Sequence, residues 1–502
     1  MFRSFFLALF LITLTACGRQ DPVAVDAGGW SRDAFAGIDA EVDVDAHTHD
    51  AVERADVIEY IDAKMLHVDA TVDVVNDVVL SEDTLIVELV PHGPCQGLPV
   101  ADTVFGDYEI ENSLDLEAFA QKTCLTHELR VSARALTTIA LDLEVVGGDV
   151  KVIDCHDLET LDIGQLTDIG GSLVVGSNPR LSTLNTSGLE TLGMGVYVSG
   201  NAALDSLDLS LLTHVPESLS VADVGGLHAP RIKSLGHASS FVNIAGELDV
   251  SGLETADSLV FENNGAELLN LPRLESLGDL TVVGNEFVAL SMPLVHLTRD
   301  VVVDENNVLQ HIHLPDVIGL SSLEVTGNNA LITLDLQSLA STDGDLMIAN
   351  DAGLTDLRFG SLTTVGGKFW LEGVNGLETL SLPSLTGVGG YFVVGGPSKT
   401  SDNVGLELID LPLVEALADV FVQNNVSLTS VDVPQLSAVG GQMYFRNNPE
   451  LDTCIVTELV SSVVVTGDVA NDGNGSSCRP DPCLVGACVV DCRVDDNFVC
   501  QP

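Results

Sequence analysis

The stretch Leu428-Thr429-Ser430-Val431-Asp432-Val433-Pro434-Gln435-Leu436-Ser437-Ala438-Val439-Gly440-Gly441-Gln442-Met443-Tyr444-Phe445-Arg446-Asn447-Asn448 decides the fold. Apolar residues alternate in Leu428-x-x-Val431-x-Val433, a Pro-x-Leu bend follows, Gly440-Gly441 forms a corner, and Met443-x-Phe445 alternates again before Asn. Period-two alternation reads as two short strands, each with one buried face. Neither closes a core alone. Copies recur at Leu377-x-x-Leu380-x-Leu382-Pro383 and Leu268-Leu269-x-Leu271-Pro272, the latter running on to Asn285. The Gly-Gly pairs that begin at Gly147 and Gly170 are separated by the same interval as Asn178 and Asn201, and Asn285, Asn307 and Asn329 keep an even step one position shorter. Such spacing lays each unit beside the next as a parallel strand. The predicted fold is an all-β solenoid over residues 147–451, roughly 13 turns stacked ~4.8 Å apart in a rod of about 60 Å. Gly-Gly is expected to supply positive φ at the corner. The recurring Asn is expected to take a left-handed bend and to bond its copies in neighbouring turns.

Ordinary leucine-rich repeats have units of comparable length. In them, however, Asn follows the Leu-x-x-Leu-x-Leu strand within a few residues; here a bend, a corner and a second strand intervene. This arrangement resembles the receptor L-domain family over roughly residues 107–478. The resemblance implies a right-handed parallel β-helix of ~22–24-residue turns of the kind that receptor ectodomains use to recognise ligands.

Both ends read as caps. An opening strand is expected over 107–110, a short helix capped by Asp115 and ending near Ala120, and a strand around Leu129 and Val131. At the far end Asp452 is expected to cap a helix that begins near Ile455. Capping helices cover the edge strand and core that a terminal turn leaves open. The organisation is then a signal peptide (1–16), an acidic spacer without fixed structure (17–90), a cap with a first turn (91–146), the repeats (147–451), a second cap (452–478) and a Cys-rich tail (479–502).

Met1-Phe2-Arg3 and the apolar run 5–14 form a secretory signal too short to span a bilayer as a helix. Leu14-Thr15-Ala16-Cys17 resembles a bacterial lipobox, which implies that Cys17 is lipidated and becomes the N-terminus of a chain held on a membrane by acyl groups. An ordinary signal peptide with Cys17 as a bystander is the alternative. Gly18 stands where Asp retains similar proteobacterial lipoproteins in the inner membrane, so the expected location is the outer membrane at the cell surface. Taken with the spacer, the chain resembles bacterial surface lipoproteins that carry receptor L-domain-like arrays.

The chain has 20 Lys+Arg against 74 Asp+Glu, a formal charge of −54. Nucleic acid is excluded as a partner, because phosphate affinity comes from Lys and Arg displacing counterions. Between residues 18 and 90 there are 18 acidic and 4 basic residues, and like charges extend such a spacer. Its valine-rich part, 71–90, has strand formation as an alternative. His47-Thr48-His49-Asp50 lacks a strand end and downstream ligands and reads as solvated linker.

Ten cysteines in an exported chain point to disulfides. With Cys17 lipidated, Cys95 is expected to pair with Cys124 and Cys454 with Cys478. Cys483, Cys488, Cys492 and Cys500 supply two further bridges whose connectivity stays open. Their spacing lacks a zinc knuckle. Cys155 falls where later turns place Asn and is expected to be a buried free thiol, with pairing to Cys124 as the alternative.

The residue between the last two apolar positions of each first strand should face outward and form a column: Asp162, Asn185, Asp208, Asn270, Ser291, His313, Asp335, Arg358, Ser381, Asp410 and Asp432. Stacked short acceptors suit sugar hydroxyls or Ca²⁺, or else form a solvated face whose mixed residues limit like-charge stacking. Arg231 and Lys233 lie in a unit that reads as lacking its first strand, and the segment 397–405 lengthens another turn; insertions in repeats map to loops, often on the binding face. His311 and His313 share a strand face, with Asp335 as a third ligand for a metal. No Gly-x-Ser-x-Gly elbow, His-Glu-x-x-His or phosphate loop occurs. The expected function is therefore non-enzymatic recognition or adhesion, with a protein or glycan ligand and no cofactor unless Ca²⁺. A surface scaffold is the first alternative and a β-helix carbohydrate-active enzyme the second.

Overall fold

The computed structural model describes residues 78–81, 84–87, 93–296, 299–396 and 402–475. Cys17, most of the spacer and Cys478, Cys483, Cys488, Cys492 and Cys500 lie outside them. Within the valine-rich segment, Val78–Ser81 pairs antiparallel with Thr84–Val87, so strands do form there.

From Tyr108–Ile110 to Val469–Asp472 the chain winds as an all-β parallel solenoid of about 16 turns of roughly 22 residues, with two α-helices among the described residues. The expected turn count was lower because both cap segments contribute strands of their own to the ladder. At ~4.8 Å per turn the stack is about 75 Å long.

Each regular turn carries three strands, not two. Thr160–Asp162, Asp168–Ile169 and Leu173–Gly176 stack in register on Thr183–Asn185, Thr191–Leu192 and Val196–Ser199 of the following turn. We call these the first, second and third faces. The second-face strand is a pair of residues, too few to show alternation. Leu161, Ile169, Leu173 and Val175 point inward and are at most 2% exposed; aligned copies above and below make one continuous aliphatic core. Phe241 and Phe261 stack inside it with ring centroids 5.0 Å apart, as do Phe369 and Phe392 at 5.1 Å.

Glycine is needed at the Gly-Gly corner for a reason other than the expected one. Neither Gly170 nor Gly389 has positive φ. A Cβ at Gly170 would overlap the carbonyl of Gly147 one turn before, and one at Gly389 would overlap that of Gly366. The corner is a place of close backbone stacking.

Positive φ belongs instead to the residue after the third face, for example Gly200 (66°), Gly284 (67°), Asn263 (53°) and Asn447 (56°). The next residue turns inward as a rung of a buried ladder. Asn264, Asn285, Asn306 and Asn328 are at most 2% exposed. The side-chain Oδ1 of Asn306 accepts from Asn285 N (2.8 Å) and Nδ2 (3.1 Å), and its own Nδ2 donates to Val282 O (2.9 Å) and to Asn328 Oδ1 (3.1 Å). The left-handed bend and the ladder bond thus fall on neighbouring residues. The rungs are Asn306 and Asn328; the expected Asn307 and Asn329 sit one place later, exposed, and bond each other at 3.2 Å. Cys155 occupies an early rung, its N donating to Asn178 Oδ1 (2.9 Å). Its buried thiol is free, with pairing to Cys124 precluded by a Cys95–Cys124 disulfide. Cys454 is disulfide-bonded as well.

Asp351 stands where the other rungs place Asn. It is fully buried; Oδ1 accepts from Asn328 N (2.7 Å) and Nδ2 (3.1 Å), while Oδ2 has no hydrogen-bond partner among the described residues. Burial pushes its carboxyl up to about 8.

The unit around His228 keeps its first strand, contrary to expectation. Leu227–His228 pairs with Leu207–Asp208 of the turn before and Leu248–Asp249 of the turn after. What is shortened is the corner, so second and third faces run together as Ser234–Ile244, Thr255–Glu262 and Ser276–Val283. In the lengthened turn Leu380 pairs with Ile409, and the rung survives: Asn403 accepts from Val374 N (2.9 Å) and donates to Asn425 Oδ1 (2.9 Å).

The first cap helix is Ser113–Phe119, and its N-cap is Asn112. Asn112 Oδ1 accepts from Leu114 N and Asp115 N while Asp115 Oδ2 accepts from Asn112 N, which makes Asp115 the third-position partner of a capping box. Phe119 covers the first turn, its ring 4.4 Å from that of Tyr108. Asp452 does cap the second helix, Thr453–Ser462, accepting from Cys454 N at 2.8 Å, and Val456 seals the last turn.

Candidate recognition surface

The first-face column forms as a physical stack. Asp208 is in register with His228 and Asp249; Asn270, Ser291, His313, Asp335 and Arg358 follow one another; Ser381, Asp410 and Asp432 close the series. It is not a row of free acceptors. Asp335 is buried, its side chain 7% exposed, with Oδ2 3.1 Å from His313 Nδ1 and 3.6 Å from Arg358 Nη1. Arg358 also binds Asp356. A carboxylate held between an imidazole and a guanidinium is no metal ligand, which removes the His311, His313 and Asp335 arrangement as a metal centre. Ser381 Oγ donates to Asp410 Oδ2 (2.9 Å), Asn185 Nδ2 to Asp162 Oδ1 (2.7 Å), and Ser210 N to Asp208 Oδ1 (2.9 Å). Asp432 stays exposed above Asp410. The basic unit is paired with acids of the next turn: Lys233 Nζ lies 3.0 Å from Glu254 Oε1, and Arg231 beside it is exposed.

A second outward column, on the third face, carries a different chemistry. Its middle residues are polar or small along much of the stack, as at Ser220, Ser240 and Thr281. Near the far end they become Met347, Trp370, Val393, Phe421 and Tyr444, each in register with the next. Tyr391, 45% exposed, sets its ring edge-on to Phe421 at 5.7 Å, and Phe421 does the same to Tyr444 at 5.4 Å. Arg446 places its guanidinium 4.2 Å over the Tyr444 ring and ion-pairs with Asp472 at 3.3 Å. Burial pushes the carboxyl of Glu372, beside Trp370, above its ordinary value. In a chain with 2 Trp and 5 Tyr, one Trp and two Tyr on neighbouring turns of one outward face are a concentration that core packing does not require.

No sequence-derived expectation included these residues. The signal was present in the residue between the inward pair of the second strand, Tyr444 between Met443 and Phe445, had that position been read as a column like the first.

No family model matches the chain, and no curated protein matches it. A solved structure described as the "Crystal structure of TLR13-ssRNA13 complex" is 15% identical, with 66% of this chain and 67% of that chain covered and a TM-score of 0.15. That likeness carries no argument about what this chain binds.

Proposed function

We propose that the protein is a lipid-anchored recognition or adhesion protein of the bacterial outer membrane, which holds its solenoid at the cell surface on an acidic spacer and binds a protein or glycan ligand through the aromatic end of the third face. The aromatic column is the observation that carries this reading. Trp, Tyr and Arg dominate the energetics of recognition surfaces, because they bury much area at little entropic cost. Stacked repeats present such side chains on an extended, rigid surface. Lipidation at Cys17 and outer-membrane residence rest on the lipobox resemblance. The test uses the secreted chain on a glycan array and in pull-downs from cell-surface fractions, with wild type beside Trp370→Ala/Tyr444→Ala. Loss of two central aromatic contacts should weaken binding about 30-fold or more, at ~2 kcal/mol for an anchor residue. An unchanged ligand profile in the double variant refutes the site. Capture of nothing leaves the scaffold reading, and release of reducing ends from polysaccharide would promote the enzymatic one.

A further inference from the structure

We propose that His228, Glu247 and Asp249 form a binding site for a borderline transition-metal dication such as Zn²⁺, independent of the aromatic surface. Their ligand atoms all lie within 4.8 Å of one another. The fold places them: Leu227–His228 and Leu248–Asp249 pair in parallel with His228 opposite Asp249. Glu247, two positions before Asp249, falls on the same outward side by the period of a strand. The residue beneath Glu247 is Gly226, which has no side chain to fill the space between the turns.

The carboxylate is aimed in advance. Asp249 Oδ1 accepts from Ser251 N (3.1 Å) and Ser251 Oγ (2.7 Å), which leaves Oδ2 pointing at His228 Nδ1, 3.3 Å away. Such support of a ligand by an outer hydrogen bond is how metal sites fix their first contacts. The His228 and Asp249 atoms approach without hydrogen-bond geometry, whereas His313 and Asp335 on the same face make a hydrogen bond at 3.1 Å. Among the described residues no guanidinium competes as Arg358 does at Asp335: Lys233 is taken by Glu254. Asp208, in register on the other side of His228, adds negative charge.

An imidazole with two carboxylates selects among cations. Ca²⁺ takes six to eight oxygens, while imidazole suits Zn²⁺ and its neighbours. Three protein ligands leave a position for water or for an oxygen of a bound ligand. The side chain of His228 is 49% exposed, so its reactivity reports occupancy. The experiment treats metal-stripped full-length protein with diethyl pyrocarbonate and follows His228 by mass spectrometry across a Zn²⁺ titration, with His311 as internal control. Zn²⁺ should protect His228, Ca²⁺ at the same concentration should not, and Glu247→Gln/Asp249→Asn should raise the half-protecting concentration tenfold or more. Equal labelling of His228 with and without Zn²⁺, protection that survives the double substitution, or equal protection by Ca²⁺ would overturn the proposal.

Discussion

Replacing Asp351 with Asn should stabilise the solenoid, and by an amount that depends on pH. Each side-chain amide in the ladder directs an Nδ2 donor at main-chain carbonyls; Asn328, one turn before, donates to Val303 O (3.0 Å) and Thr326 O (3.1 Å). Asp351 sets an unpartnered oxygen there, a position tolerable only when the acid is protonated. Burial raises its carboxyl from the ordinary 3.8 to about 8. The folded-state value lies above the unfolded one, so folding takes up a proton. Stability attached to this group is fullest below about pH 4 and is lost as pH rises towards 8. At about 1.4 kcal/mol per pH unit, the loss between pH 4 and pH 7 is on the order of 4 kcal/mol. An Asn has no such titration, and its amide can donate where Oδ2 now has nothing. Trp370 reports the event locally, because its strand pairs with the one that leads into Asp351, Met347 opposite Trp370. Urea unfolding followed by tryptophan fluorescence at pH 4.5 and pH 8 should show midpoints close together at the acid value and well separated, with the variant higher, at the alkaline one. Repeat arrays need not unfold in one step, so the local midpoint is the quantity to compare. A gap of the same size at both pH values, or a variant weaker than wild type at pH 8, would refute the reasoning.

Asn306→Ala should cost about 2–4 kcal/mol, since it strands the buried N–H of Asn285 and the carbonyl of Val282 together; a drop in unfolding midpoint below that of the exposed Asn307→Ala control checks it. Gly389→Ala drives a methyl into the Gly366 carbonyl and should lose about 1–3 kcal/mol, measured by thermal unfolding, while Gly387→Ala, whose Cβ meets nothing within 4 Å, should lose far less. Cys155, buried and with its thiol pushed above its ordinary value by that burial, should resist iodoacetamide at pH 8 in the native protein and react fully in urea; prompt native labelling would contradict the ladder position assigned to it.

The solenoid was legible because its cause is periodic: an aliphatic residue at every second position of a short strand, repeated once per turn, has few other ways to be buried. Features set by contact between turns were harder to read. Gly-Gly was expected to answer a torsional demand, yet Gly170 is required by the Gly147 carbonyl stacked against it. In the Asn pairs, composition does not say which member turns inward. At Asn447-Asn448 the first takes positive φ and the second bonds the ladder, whereas at Asn306-Asn307 the bend has already fallen on Glu305. Asp335 was legible as a member of its column but not as a buried one, because its cover comes from His313 and Arg358, a turn to either side. The aromatic column was missed because only one of the outward positions was followed from unit to unit. Asp115 has a good capping residue type, and only the geometry shows that Asn112 holds the cap position.

The ladder has a consequence for how such a chain can change. A rung passes its bond to the next across 20 residues from Ile244 to Asn264, 23 from Asn178 to Asn201, 26 from Asn448 to Asn474 and 29 from Val374 to Asn403. The bond registers arrival at the corner and is indifferent to the path taken. Length is therefore a quantity that drift can explore while the frame stays closed, and the segment between Gly396 and Asn403 already holds extra residues. A peptide epitope or a small domain spliced there should leave the neighbouring rungs intact, which makes this corner both the natural place for related chains to diverge and a ready position for display.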